Sequence, residues 1–431
     1  MKILQKRWLL TAGIVLALVG AACGGGETTP APRPAAAPSP TSIATPPPVT
    51  EATPTAPTEV IEVEEARFQW EAFDVDEGAK PAIALGGKGT PHIAYMREAL
   101  SGGFVKHALW NGNGFDITEV ARGYFYGPLD IDVGPGDVPQ ISWHDHQASS
   151  FRPDLGDATR AILTDSGWQV ETVRDDGHDG WDNRIVVDSQ GRPHISAVDP
   201  AQFGSSSGVE YYFFDGAQWT VESIGAGPIN YEWGTFIALD SQDSPHITYF
   251  STSTGELFYA TRTDSGWVIE TVDSEGDVGR FSSLVLDGND NPHIAYFEIE
   301  PGAPSTGTTS GYVKYAVRGD SGWETTRIDK LESVFIGMLG ARNITSILLD
   351  NSGNPMFSYA DEDVIKLAYF DGSRWNTETI VTSDGVPFGQ LTSLDIDADG
   401  VLHLTYTEVT KRSQPGISGT VKYVRGTPIS G

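Results

Sequence analysis

The chain has 431 residues, 39% of them hydrophobic, with 49 Gly and 27 Pro, enough for several domains or one large repeat domain rich in turns. Its formal charge of -30 excludes nucleic acid and anionic membrane surfaces as electrostatic partners, because the long-range field repels both. Cys23 is the one cysteine, so an intramolecular disulfide is excluded too.

In chain order, Lys2, Lys6 and Arg7 precede an apolar stretch from Trp8 to Val19 and then Gly20-Ala21-Ala22-Cys23. A basic start, an apolar middle and small residues before a cleavage point make a secretory signal. The segment resembles the bacterial lipoprotein lipobox, which implies a signal peptide over 1–23 and lipidation of Cys23. The expected address is extracytoplasmic, anchored by lipid to the bacterial cell membrane, since two acyl chains hold a protein stably. Residues 24–60 turn to Pro, Thr and Ala; they cannot bury a core and are expected to form a disordered, extended linker.

From residue 61 to 427 one unit recurs. Its plainest copy reads SLVLDGNDNPHIAYFE, then a Gly/Ser/Thr-rich insertion, then YVKYAVRGDSGWETTRID, over Ser283 to Asp329. It holds four short β-type runs bounded by turn residues. Pro292 opens the second run, where a missing N–H costs no ladder bond. Four strands per period of roughly 50 residues fit a β-propeller blade. Copies follow at TPHIAYM, VPQISWHDHQ, RPHISAVD, SPHITYF, NPMFSYAD and VLHLTYTE. The last lacks its fourth strand, and Phe68-Gln-Trp-Glu71-Ala72-Phe73-Asp74 matches Trp267-Val-Ile-Glu270-Thr271-Val272-Asp273. The prediction is therefore an all-β, seven-bladed propeller of four-stranded blades, its last blade closed by the N-terminal strand. The aromatics opening each fourth strand, read as Phe68, Phe115, Trp168, Trp219, Trp267, Trp323 and Trp375, are expected to cover the seams between blades.

The repeated His92, His194, His246, His293 and His403 have Gln140 and Met356 as stand-ins. Met is a poor ligand for a hard or borderline ion, so these histidines read as structural. Asp188, Asp240, Asp287, Asp350 and Asp397 read as caps of the turns that follow. Asp395-Ile-Asp397-Ala-Asp399-Gly400 opens like a calcium loop, but position twelve is Tyr406, and the ligand set is incomplete. No metal and no cofactor are expected.

Positions seven residues before the strand-ending Asp vary while the framework repeats: Phe125, Trp181, Trp233, Arg280, Asn343 and Gln390. They are expected to face a central mouth, with Tyr231 and His178 near them. His144 and His146, two apart, share one face of a strand. Such a pair could hold an ion, serve as plain loop histidines or act as a base in sugar chemistry. Together these ten residues form the expected ligand site, where aromatic faces would stack on sugar rings and polar groups would fix hydroxyls.

The units, together with the turns FDGAQW and FDGSRW, resemble the sialidase-type (BNR-like) Asp-box and NHL-like propeller repeats of bacterial extracellular proteins, over about residues 66–425. The resemblance implies the fold. The sialidase Phe/Tyr-Arg-Ile-Pro motif is absent. Some propeller polysaccharide lyases use His, Tyr and Arg on a central face, a role the resemblance would give to His144, His146, His178, Tyr231 and Arg280. The expected function is a surface-anchored monomer that binds a glycan or protein ligand without catalysis. The alternative is a glycan-active enzyme, lyase or hydrolase, on the same face. No nucleophile elbow, phosphate loop or HExxH motif is present.

Overall fold

A computed structural model describes residues 66–97, 102–146, 156–175, 180–199, 208–226, 234–305, 307–319, 321–336, 345–361, 363–383, 392–413 and 416–429. The signal, Cys23 and the linker lie outside these residues, as do His178, Tyr231, Trp233, Asn343 and Gln390. The described residues form strands and turns, with four separate four-stranded sheets and one ten-stranded sheet. The large sheet is three blades in sequence. Two long strands, Phe68–Leu85 and Phe115–Gly134, each serve as the outer strand of one blade and then bend to become the inner strand of the next. Three blades and four make the expected seven.

The closure is direct. Phe68–Leu85 pairs antiparallel with Gly416–Pro428, Ala72 opposite Val424 and Phe73 opposite Tyr423. The chain's start thereby supplies the fourth strand that its end lacks, and no blade is left with an open edge there. One detail is corrected. Arg262 opposes Trp267 three residues after Tyr259, and Gly426, three residues after Tyr423, opposes Trp70. Trp70, not Phe68, is thus the equivalent of Trp267. Its indole N–H donates to Glu378 Oε1 at 2.8 Å, as Trp267 donates to Glu222 at 2.9 Å and Trp323 to Glu270 at 3.2 Å. Phe68 is a core side chain at 4% exposure, packed with Leu402 and Val424.

Two of these tryptophans cross a seam with the ring edge meeting a tyrosine of the previous blade: Trp267 on Tyr211, Trp323 on Tyr259. That tyrosine is the partner of the repeated histidine. His194 Nδ1 meets Tyr211 Oη at 2.6 Å, His293 meets Tyr315 at 2.5 Å and His403 meets Tyr423 at 2.7 Å. The other ring nitrogen faces the turn-capping carboxylate, 3.4 Å away for both Asp188 and Asp397. In blades one, two and six one or both members of the pair differ, and the two still match each other. Blade one has His92 with His107, 3.1 Å apart. Blade two has Gln140 accepting from Arg160 at 2.9 Å. Blade six has buried Met356 with buried Leu367. Polar partners go with polar, apolar with apolar, because a buried donor or acceptor left alone costs about 1–3 kcal/mol.

The capping aspartates take two backbone N–H groups each, as Asp397 does from Asp399 and Val401, both at 2.9 Å. Asp395 Oδ2 accepts from Leu85 N. With both carboxylates engaged this way, the loop is a capped turn. The Asp-box resemblance has a physical counterpart in blades three and six: Asp215 Oδ1 accepts from Ala217 N and Gln218 N, and Asp371 Oδ1 from Ser373 N and Arg374 N.

At the axis the inner strands of blades one, three and seven turn N–H groups of their free edge toward the neighbouring blade. Side chains of the preceding blade accept them. Ser393 and Asp395 accept from Ile83 and Leu85, and Asp130 and Asp132 accept from Ile185 and Val187. Ser346 accepts from Leu394. These hydroxyls and carboxylates thus join the inner strands around the axis.

Candidate functional site

Among the expected site residues that the structure describes, two come together. His144 lies two residues before the end of the Val138–His146 strand of blade two, and Trp181 opens the Trp181–Val187 strand of blade three. Their ring centroids are 4.7 Å apart and both side chains are 0% exposed. Two glycines allow this approach. A Cβ on Gly156 would lie 2.5 Å from His144 Nε2 and displace that ring, and one on Gly180, at φ +74°, would lie 2.5 Å from Ala158 and drive blades two and three apart.

The others do not join them. Phe125 faces no mouth: it is 4% exposed and its ring packs edge-on to Trp143 at 6.2 Å. The spacing argument misplaced it because Gly134, not Asp132, holds the capping position in blade two: Gly134 pairs two residues before Gln140, the stand-in for histidine. Arg280 sits on blade five, its guanidinium donating to both oxygens of Asp277 at 3.0 and 2.9 Å and lying 4.5 Å over the Phe250 ring. His146 lies at the strand's end, opposite Tyr124.

Beside His144 is a pair of carboxyls that the sequence reading passed over. Asp145 opposes Asp157 directly across the two middle strands of blade two. Residues so paired have Cβ atoms about 5 Å apart. Asp157 is buried, while Asp145 remains half-exposed. Burial, reinforced by the neighbouring Asp157 carboxylate, pushes the Asp145 carboxyl up to about 6. A signal was present in the sequence: in His144-Asp145-His146 the middle residue turns to the opposite face from the histidines.

Around the axis, three further carboxyls resist ionisation. Burial lifts Asp130 to about 6 against the pull of the Arg184 guanidinium. Burial also raises Asp132. Asp395 is brought to about 6 by burial, with Asp132 and Asp397 adding to it. Where the inner strands begin, Lys80, Asp182 and Phe281 share one place in the repeat, all with left-handed φ of 56°, 49° and 56°. Each sits at a break in register between the first and second strands of its blade. Lys80, Asp182 and Arg184 are all buried, and Lys80 Nζ donates to Gly127 O.

Two clefts open at the other ends of the strands. One of about 520 Å³ lies between blades three and four beside Arg192, Phe213 and Arg262. One of about 380 Å³ lies where blades seven and one meet, beside Lys88 and Asp399. Arg192 and Arg262 are engaged by Asp188 and Glu222. Among the described residues no group of three or more His, Cys, Asp or Glu is placed to hold a metal ion.

No known protein-family model matches the chain, and no curated protein matches it in sequence. Solved structures match in fold. An α-L-arabinofuranosidase from Fusarium graminearum is 14% identical at a TM-score of 0.48, over 70% of this chain and 92% of that one. A polysaccharide lyase is 9% identical at 0.49, over 88% and 96%. The NanB sialidase of Streptococcus pneumoniae is 11% identical at 0.45, over 84% and 71%. The sialidase-type likeness of the repeats is thus met at the level of fold. The expectation of a non-catalytic binding propeller is corrected: the neighbours named here are all glycan-active enzymes.

Proposed function

We propose that the chain is a glycan-active enzyme that cleaves a glycosidic bond at the ends of blades two and three, with Asp145 as its proton donor. The observation that carries this is the state of Asp145. It is a half-exposed carboxyl held near 6 by burial and by Asp157, so about a tenth keeps its proton at pH 7, far more than for an ordinary aspartate. A departing sugar oxygen needs a proton as its bond breaks and water completes the cleavage, and a positioned acid contributes about 10²–10⁴-fold. Asp157 acts through Asp145 and is a positioning residue. His144, its ring tilted by 33° against Trp181, fixes the strand end from the opposite face.

The test is turnover on a panel of polysaccharides, read both as reducing ends and as unsaturated products. Asp145→Asn is expected to lower kcat about 10²–10⁴-fold with the fold intact. Wild-type activity should fall as pH rises through 6, because the donor loses its proton there. A panel hit whose turnover survives Asp145→Asn unchanged would remove this assignment.

A further inference from the structure

The walls of the axis carry a one-sided charge. Asp130, Asp132 and Asp395 join inner strands around it. Asp145, Asp157 and Asp182 lie at the candidate site on blades two and three, and Asp277 lies at the start of the blade-five inner strand. Set against these seven carboxyls, among the described residues, are three cations of the inner strands: Lys80, Arg184 and Arg280. Arg280 is held by both oxygens of Asp277, and Arg184 works against Asp130. Outside the site the balance is no different, for the whole chain carries -30. A cleft of one sign between low-dielectric walls focuses its field on whatever enters.

We infer that the site selects glycans without acidic groups and turns away uronate-bearing and sulfated ones. This rests on the glycan reading above and adds the substrate class to it. An acidic sugar needs an unengaged guanidinium or ammonium to replace the water it sheds. Arg280, the arginine that the repeat pattern offered for that task, is already closed on Asp277 at 2.9 Å. A neutral sugar meets no such requirement. Its hydroxyls donate readily to carboxylates, and a carboxylate wall is a good acceptor surface for them.

The experiment uses the full chain with neutral and acidic counterparts: galactan against polygalacturonate, and dextran against dextran sulfate. Both gel-retardation binding and turnover are read at about 20 mM and about 300 mM salt, on either side of strong screening. At low salt, at least one neutral polymer should be bound or cleaved and its acidic counterpart refused. High salt should narrow the gap. Asp132→Asn with Asp395→Asn should raise the acidic-to-neutral ratio by about twofold per removed charge at low salt. An acidic polymer preferred at low salt, a ratio that the double substitution leaves unchanged, or no interaction with any neutral member would each overturn the inference. Charge-selective binding without turnover of any glycan would uphold it and remove the enzyme reading instead.

Discussion

Asp395 is a residue whose two jobs oppose each other. As a hydrogen-bond acceptor it closes the blade-one inner strand at Leu85, 2.9 Å away. As a charge it is badly placed, and burial lifts its carboxyl to about 6. An unfolded aspartate titrates near 3.9, so the folded state binds the extra proton between these values. Its contribution to stability is therefore complete below pH 4 and is lost as pH rises through 6. Asn keeps the accepting oxygen without the charge. Asp395→Asn should stabilise the fold by roughly 2 kcal/mol at pH 8, with the gain gone by pH 4; denaturant titration at the two pH values measures it. Equal gain at both would show that charge burial is not the cause. Residue-scale strain follows a similar logic in the turns. Asp243 and Asp290 hold left-handed φ of 62° and 64° where other blades use Gly191, Gly353 and Gly400. In return each carboxylate takes two bonds from a neighbouring turn, Asp243 from Ser189 and Asp290 from Ser241.

At the scale of the element, the strand pair carrying His and Tyr is the unit that must stay consistent. Blade six shows the apolar solution, Met356 with Leu367, and blade four the polar one, His246 with Tyr259, in hydrogen-bond contact. His246→Met alone strands a buried hydroxyl and should cost about 1–3 kcal/mol. Tyr259→Leu alone should cost a similar amount by stranding the imidazole and thinning the Trp323 seam. The double substitution should cost less than the sum by more than about 1 kcal/mol. Simple additivity in chemical unfolding would mean that the two side chains do not act as a pair.

For the whole molecule, closure of the ring is the decisive feature. The pairing of Phe68–Leu85 with Gly416–Pro428 joins residues more than 300 positions apart. Seam contacts follow at that join: Trp70 with Glu378, Arg67 with Asp350, and Asp76 with Tyr95 and Lys106. Removing residues up to Asp74 would expose the edge of Gly416–Pro428 and leave Tyr423 and Val424 without cover. A drop in melting temperature of more than about 10 °C, with concentration-dependent association, is expected. Retention of the full-length melting temperature by a monomeric truncate would refute the closure.

The sequence by itself determined the repeat, the seven blades and the borrowed strand, because these depend on period and on which strands are missing. It also marked the histidines as structural, since a ring that accepts Gln and Met is not a ligand ring. It could not place Trp70 two residues along from Phe68, because register is set by hydrogen bonds between strands at opposite ends of the chain. Spacing from an aspartate placed Phe125 at the mouth, and the tertiary structure buries it, because blade two caps its turn with Gly134 instead. Asp145 and Asp157 became a pair only across a strand ladder, and a carboxyl acquires its proton from the low dielectric around it. That environment is a property of packed blades and is written nowhere along the chain.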